Sequence, residues 1–193
     1  MSDHTLLLKE LLVEANNAKE LRQMHQVTVE QVIADYAAEQ QKKITLRKHE
    51  SGKPFLEGDE NHISISHSGS WIAVLISSRP HIGIDVQRVE ARIQKLAHKF
   101  VHDQELTYLQ NNTFSLSYNQ QLTLIWCIKE AIYKAFSENT LLFKEQIQLC
   151  ELIEAQNKAS VQVLLPNSKN HLMVDYFVKQ DYLFAYCLND LME

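Results

Sequence analysis

A chain of 193 residues with 45% hydrophobic content can bury a core of its own, as one domain or two small fused halves, so disorder is excluded. A formal net charge of −5 and a pI near 6.0, with no long basic run, argue against nucleic acid as the main partner. The three cysteines, Cys127, Cys150 and Cys187, sit in apolar sequence and read as buried reduced thiols, while residues 1–14 carry early acidic groups and no long apolar run, so no signal peptide or membrane span is expected and the protein belongs in the cytoplasm.

From the N-terminus, Leu8, Leu11, Leu12, Ala15, Ala18 and Leu21 recur at helical spacing and predict a helix over 5–23. A second helical pattern runs through Val29, Val32, Ile33, Tyr36 and Ala37, with Thr28 as its N-cap. Both read as scaffold. Ile44 to Lys48 reads as a short strand ending in a turn at Ser51-Gly52-Lys53-Pro54. Ile63 to His67 alternates as a strand, Ser68-Gly69-Ser70 is a turn, and Trp71 to Ser77 is the next strand. Ser78-Arg79-Pro80 then closes a hairpin into Ile82-Gly83-Ile84-Asp85-Val86. There, period-2 alternation sets Ile82, Ile84 and Val86 on one face and Gly83, Asp85 and Gln87 on the other.

An amphipathic segment follows from Ile93 to Leu109, grouping Leu96, Ala97, Phe100 and Val101. Residues 111–121 are the most linker-like part of the chain, rich in Asn, Ser and Gln. A helix at 120–137 comes next, then strands at 146–153, 160–165, 171–178 and 182–188. Helix and antiparallel strands, twice over, predict an α+β fold of two similarly built halves, 1–110 and 111–193.

The helix over Trp126 to Lys134 has two unlike faces. Leu124, Ile125, Ile128, Ile132, Ala135 and Phe136 form an ordinary core stripe. The other stripe carries Glu130 and Lys134 one turn apart among Trp126, Cys127 and Tyr133. Taken alone, an i,i+4 Glu-Lys pair is a minor surface stabiliser. The Asp85 strand shifts that balance: if it packs on the Glu130 face, two carboxylates converge and need a cation, for which a hard divalent ion with oxygen ligands is the natural choice. Lys53, in the Gly-Lys-Pro turn, and His67, at a strand end, add positive charge suited to a phosphate-bearing ligand. Each also has a plain reading, as a solvated turn lysine and a satisfied strand-end histidine.

Five stretches carry a resemblance when taken in order: Gly52-Lys53-Pro54, Ile63-Ser64-Ile65-Ser66-His67-Ser68-Gly69, Ile82-Gly83-Ile84-Asp85, Phe100 with Glu105, and Trp126-Cys127-Ile128-Lys129-Glu130-Ala131-Ile132-Tyr133-Lys134. Together they resemble the 4'-phosphopantetheinyl transferases of the surfactin-synthetase-activating type. The resemblance implies a pseudo-twofold fold whose halves each pack a helix on a small, mainly antiparallel sheet, with coenzyme A in the cleft between them. It implies a magnesium ion on the pyrophosphate and transfer of the phosphopantetheine arm to a serine of an apo acyl or peptidyl carrier protein, releasing adenosine 3',5'-bisphosphate. In that reading Asp85 and Glu130 hold the metal, with Glu130 also the base. Lys134 and His67 hold phosphate oxygens, and Lys53 and Ser66 support the nucleotide end. Gln87 stands where many relatives have a third carboxylate, and could ligate through its amide oxygen or orient a water. The N-terminal stretch is shorter than is usual in the family, leaving an early strand and its basic phosphate contacts without a clear counterpart; Arg22 is one residue that could stand in. A monomer is expected. The competing classes are a coenzyme A or carrier-binding module without turnover, and a magnesium-dependent phosphohydrolase.

Overall fold

The computed structural model describes residues 3–12, 15–136 and 141–189. The leucine-rich start is not a helix. Its first part is strand β1, His4–Glu10, with Leu7 on one side and Leu6 and Leu8 on the other, each side packed into a different apolar cluster. A leucine run buried on both faces loses its period-2 signature, so its spacing fits a helix equally well. Helix α1, Ala18–Glu39, begins where Asn17 caps it, accepting from the amides of Lys19 and Glu20 at 3.0 Å. It runs unbroken through Thr28, which is therefore an interior residue and not a cap.

Strands β2, Thr45–Lys48, and β3, Pro54–Glu57, form a hairpin across the Gly52 turn. Only β2 is apparent from the sequence. β4, His62–Ser68, and β5, Trp71–Ser77, are the expected pair, and β5 also pairs with β1 to give the sheet order β1-β5-β4. That explains a second departure. Strand β6, His81–Arg88, follows β5 but does not close a hairpin on it, because both edges of β5 are already taken. β6 instead pairs antiparallel with the last strand of the chain.

The segment predicted as one amphipathic element over 93–109 breaks into α2, Ile93–Leu96, a short 3-10 turn, and α3, Asp103–Asn111, which begins at a His102 cap. Helix α4, Tyr118–Ala135, starts in a capping box formed by Ser117 and Gln120. After α5, Phe143–Gln146, the strands β7 (Ile147–Ile153), β8 (Lys158–Leu165), β9 (Ser168–Lys179) and β10 (Tyr182–Asn189) form a meander, and β6 completes the sheet order β6-β10-β9-β8-β7. All strands in the three sheets pair antiparallel, so the α+β expectation holds. Cys127 and Cys187 are buried free thiols, whereas Cys150 is exposed, contrary to expectation. It sits where the β7–β8 register slips between Leu149 and Glu151, and a bulge turns the extra residue out of the ladder. Among the described residues no helix is long and apolar enough to cross a membrane.

Two local features place the site. β6 is an edge strand, and β4 runs beside it without backbone pairing. Instead Ser64, Ser66 and Ser68 accept, through their hydroxyls, the amides of Ile84, Val86 and Arg88 at 3.1, 3.3 and 3.2 Å. The alternate serines of β4 thus do the work of a ladder, and at Ile84 and Val86 they satisfy buried donors that would otherwise be orphaned. On the opposite side, a Cβ at Gly83 would lie 1.8 Å from the Ala131 carbonyl oxygen. Only glycine lets α4 rest directly on β6, and that contact brings Glu130 and Lys134 over Asp85.

Candidate active site

Asp85 is 6% exposed, in the layer between β4 and α4. Its Oδ1 accepts from Ser66 Oγ at 2.7 Å and from Lys134 Nζ at 2.8 Å, and Lys134 also donates to the Ile84 carbonyl at 2.8 Å. Its other oxygen, Oδ2, is buried without a hydrogen-bond partner. A buried carboxylate oxygen left open in this way costs free energy unless something cationic meets it. Glu130, one turn before Lys134, is half-buried. Burial, and then the charge of Asp85, push its carboxyl above the ordinary range, with Lys134 opposing. The charge of Asp85 therefore reaches Glu130. The donors are all oxygen, so they would fit a hard divalent ion such as Mg²⁺, with Oδ1 held by Lys134 and Ser66 and Oδ2 free to ligate. Gln87 is half-buried two residues further along the same face of β6. Among the described residues no third acidic, His or Cys side chain completes a cluster there.

This arrangement has a pH consequence. A carboxyl whose folded-state pKa is raised adds stability below the unfolded carboxylate range and loses it as pH rises through the raised value. Glu130→Gln is therefore expected to melt roughly 2–4 °C higher than the parent at pH 7–8 in the presence of a chelator, with the gain vanishing near pH 4. Added Mg²⁺ should raise the melting temperature of the parent and leave that of the variant unmoved. A variant less stable than the parent at neutral pH, scanned calorimetrically, would contradict the assignment.

The Ser66 hydroxyl donates to Asp85 and accepts from Val86, so both of its capacities are used inside the protein. It positions Asp85. The next residue, His67, faces the other way, into a cleft of about 690 Å³. The cleft walls are α1, β2, the Gly52–Pro54 turn and β4, and their charges are mostly positive: Arg22, Arg47 and Lys48, with Glu30 the acidic exception. His67 is exposed yet stacks on His25 of α1, with ring centroids 4.3 Å apart at 28°. Burial of its inner face, then His25 and Lys134, hold its pKa below the ordinary histidine value. Gly52 and Pro54 line the cleft, while the charge of Lys53 between them is felt by His62.

Sequence reasoning treated α1 as scaffold. It is a wall of the cleft, and Arg22, His25 and Gln26, at i, i+3 and i+4, were the available signal. Lys129 was also passed over as one member of a motif. It is fully buried, and its ammonium donates to the carbonyls of Phe100 (2.7 Å) and Phe143 (2.9 Å) and to Glu105 Oε2 (2.8 Å). Glu105 in turn accepts the amides of His102 and Leu149, both at 2.7 Å. The pair locks α4 to α3 and β7.

Comparison with known proteins bears on this site. The family model of the 4'-phosphopantetheinyl transferase superfamily matches residues 81–187, from the start of β6 into β10. The 4'-phosphopantetheinyl transferase gsp of Aneurinibacillus migulanus is 39% identical over 98 residues, covering 49% of this chain and 39% of that protein. The 4'-phosphopantetheinyl transferase of Bacillus subtilis is 26% identical over 149 residues, 75% of this chain and 62% of that one. Enterobactin synthase component D of Salmonella typhi is 35% identical over 81 residues, 41% of this chain and 33% of its own length. The matched regions span from about a third to about three-fifths of these relatives.

Proposed function

We propose a reaction for this chain, which belongs to the 4'-phosphopantetheinyl transferase superfamily: transfer of the 4'-phosphopantetheine arm of coenzyme A to a serine hydroxyl of an apo acyl or peptidyl carrier protein. The observation that carries the reading is Asp85, with one oxygen held by Ser66 and Lys134, the other buried and open, and its charge felt by Glu130. The serine oxygen forms a bond to the pantetheine-side phosphorus as the pyrophosphate P–O bond breaks. The bonding pair leaves with adenosine 3',5'-bisphosphate. The serine proton passes to Glu130, whose raised pKa brings it closer to what a base at neutral pH needs. Lys134 lies where negative charge builds up on the transferred phosphoryl group, and the basic cleft with His67 receives the phosphates of the nucleotide end. Asp85 and Glu130, with Gln87 on the same face of β6, would hold Mg²⁺, which would supply further charge neutralisation at the pyrophosphate. In this reading the protein acts as a cytoplasmic monomer, and residues 1–110 and 111–193 contribute the two walls of the coenzyme A site.

Incubation with coenzyme A, Mg²⁺ and an apo carrier protein should add the mass of phosphopantetheine to the carrier. Coenzyme A binding without that mass gain would indicate a binding module, and release of phosphate alone would indicate a hydrolase.

The carrier side rests on α2 and the turn after it. Lys95, Leu96, His98 and Lys99 are exposed there, whereas Phe100 and Val101, grouped with Leu96 in the sequence as one amphipathic segment, are core residues. Carrier proteins are usually acidic and this chain is itself acidic, so a local basic patch must guide the encounter. Lys95→Glu combined with Lys99→Glu is expected to raise the KM for the carrier roughly fivefold and leave that for coenzyme A nearly unchanged. Equal effects on both substrates in steady-state kinetics would place the carrier elsewhere.

A further inference from the structure

His25 takes no part in the reaction as derived, yet three observations single it out. It is 4% exposed on the cleft wall of α1, and its Nε2 donates to the Gly69 carbonyl at 2.8 Å. Its ring stacks on His67. Its Nδ1 is buried with no hydrogen-bond partner. An apolar side chain of similar volume would fill this space without burying an unpaired nitrogen, so packing alone gives no reason for an imidazole here. The Gly69 bond supplies one. The turn that follows His67 has Gly69 at φ +52° and is gripped on its far side by β10, where Ser70 donates its amide to the Tyr182 hydroxyl at 3.2 Å. His25 closes the clamp from the α1 side.

We propose that His25 is a positioning residue, which fixes the His67 ring and its turn so that the outer edge of His67 meets an anionic group of the phosphate-bearing ligand in the cleft. The inference rests on the transferase reading, and it adds a residue to the nucleotide end of that site. Because Nε2 of His25 is committed as a donor to the Gly69 carbonyl, the plane of its ring is fixed, and with it the face that stacks on His67. The surrounding charges set the demand: Arg22 and Glu30 on α1, Arg47 and Lys48 on β2, Asp85 on β6 and Lys134 on α4. The task is divided between a buried anchor, His25, and an exposed contact, His67.

Two substitutions separate the two contacts. His25→Phe keeps a ring to stack and loses the donor to Gly69, whereas His25→Gln keeps a donor and loses the ring. Coenzyme A binding, measured by calorimetry on the whole protein, is expected to weaken roughly tenfold in each, the equivalent of one charge-assisted hydrogen bond. In turnover the loss should appear in the KM for coenzyme A more than in kcat, with the KM for the carrier unaffected. A merely structural role would lower kcat and shift both KM values together, and would overturn the proposal, as would variants that bind coenzyme A like the parent. Should neither variant fold, the parent protein decides: coenzyme A addition should shift the ring-proton resonances of His25 and His67 together, and movement of His67 alone refutes the clamp. A parent that binds no coenzyme A defeats the transferase reading itself, a result distinct from binding that is indifferent to His25.

Discussion

Asp85→Ala is expected to lower phosphopantetheine transfer by about a thousandfold or more while the protein stays folded, and Glu130→Ala to act in the same direction. Asp85 joins three relations: Oδ1 orients Lys134 and takes the Ser66 hydroxyl, and Oδ2 is buried and open. Alanine removes all three relations at once. The fold should survive because the Lys134 side chain is 28% exposed, so the released ammonium can reach water, and because Ser66 keeps the Val86 amide. The stability cost should stay near about 1 kcal/mol. Asp85→Asn sharpens the comparison, since it keeps an acceptor for Ser66 but loses the charge, and it should be nearly as inactive. Turnover close to that of the parent at saturating Mg²⁺ in either variant would remove Asp85 from the chemistry.

Lys129→Met should have the largest effect on stability, roughly 3–5 kcal/mol in urea unfolding. Methionine matches the length of the lysine stem, so the change is electrical. Glu105, 1% exposed, would be left as a buried anion with only two amides to meet it, and the carbonyls of Phe100 and Phe143 would lose their donor. Burial holds the Lys129 pKa below its ordinary value, and the Glu105 carboxylate opposes that shift. Glu105→Leu should be no milder, because it orphans the amides of His102 and Leu149 together with the lysine. The residual folded protein should still show transfer, because Lys129 points away from the Asp85 layer although it is next to Glu130 in sequence. A cost below about 1 kcal/mol would mean that water or a rearranged side chain replaces the lysine.

These two residues also show how far sequence reasoning reaches. The alternation of Ile82, Gly83, Ile84 and Asp85 and the one-turn spacing of Glu130 and Lys134 are local periodicities. They suffice to predict that a carboxylate faces away from the apolar side of a strand and that a second shares a helix face with a lysine. The strands from 147 to 189 and helix α4 follow from the same kind of signal, and the structure has them within a few residues of the predicted bounds. That Asp85 and Glu130 meet is an inference from one packing choice, and Gly83 is the residue that permits it. Other features carry no local signal. The leucines of β1 fit a helix as well as a strand until β5 pairs with them, and β6 turns to β10 because β1 and β4 occupy both edges of β5. His25 reaches Gly69 across 44 residues, and Lys129 reaches Glu105 across 24. Periodicity records which face of an element is buried, but the partner a buried polar group finds depends on which elements lie side by side. Only the closed tertiary packing decides that.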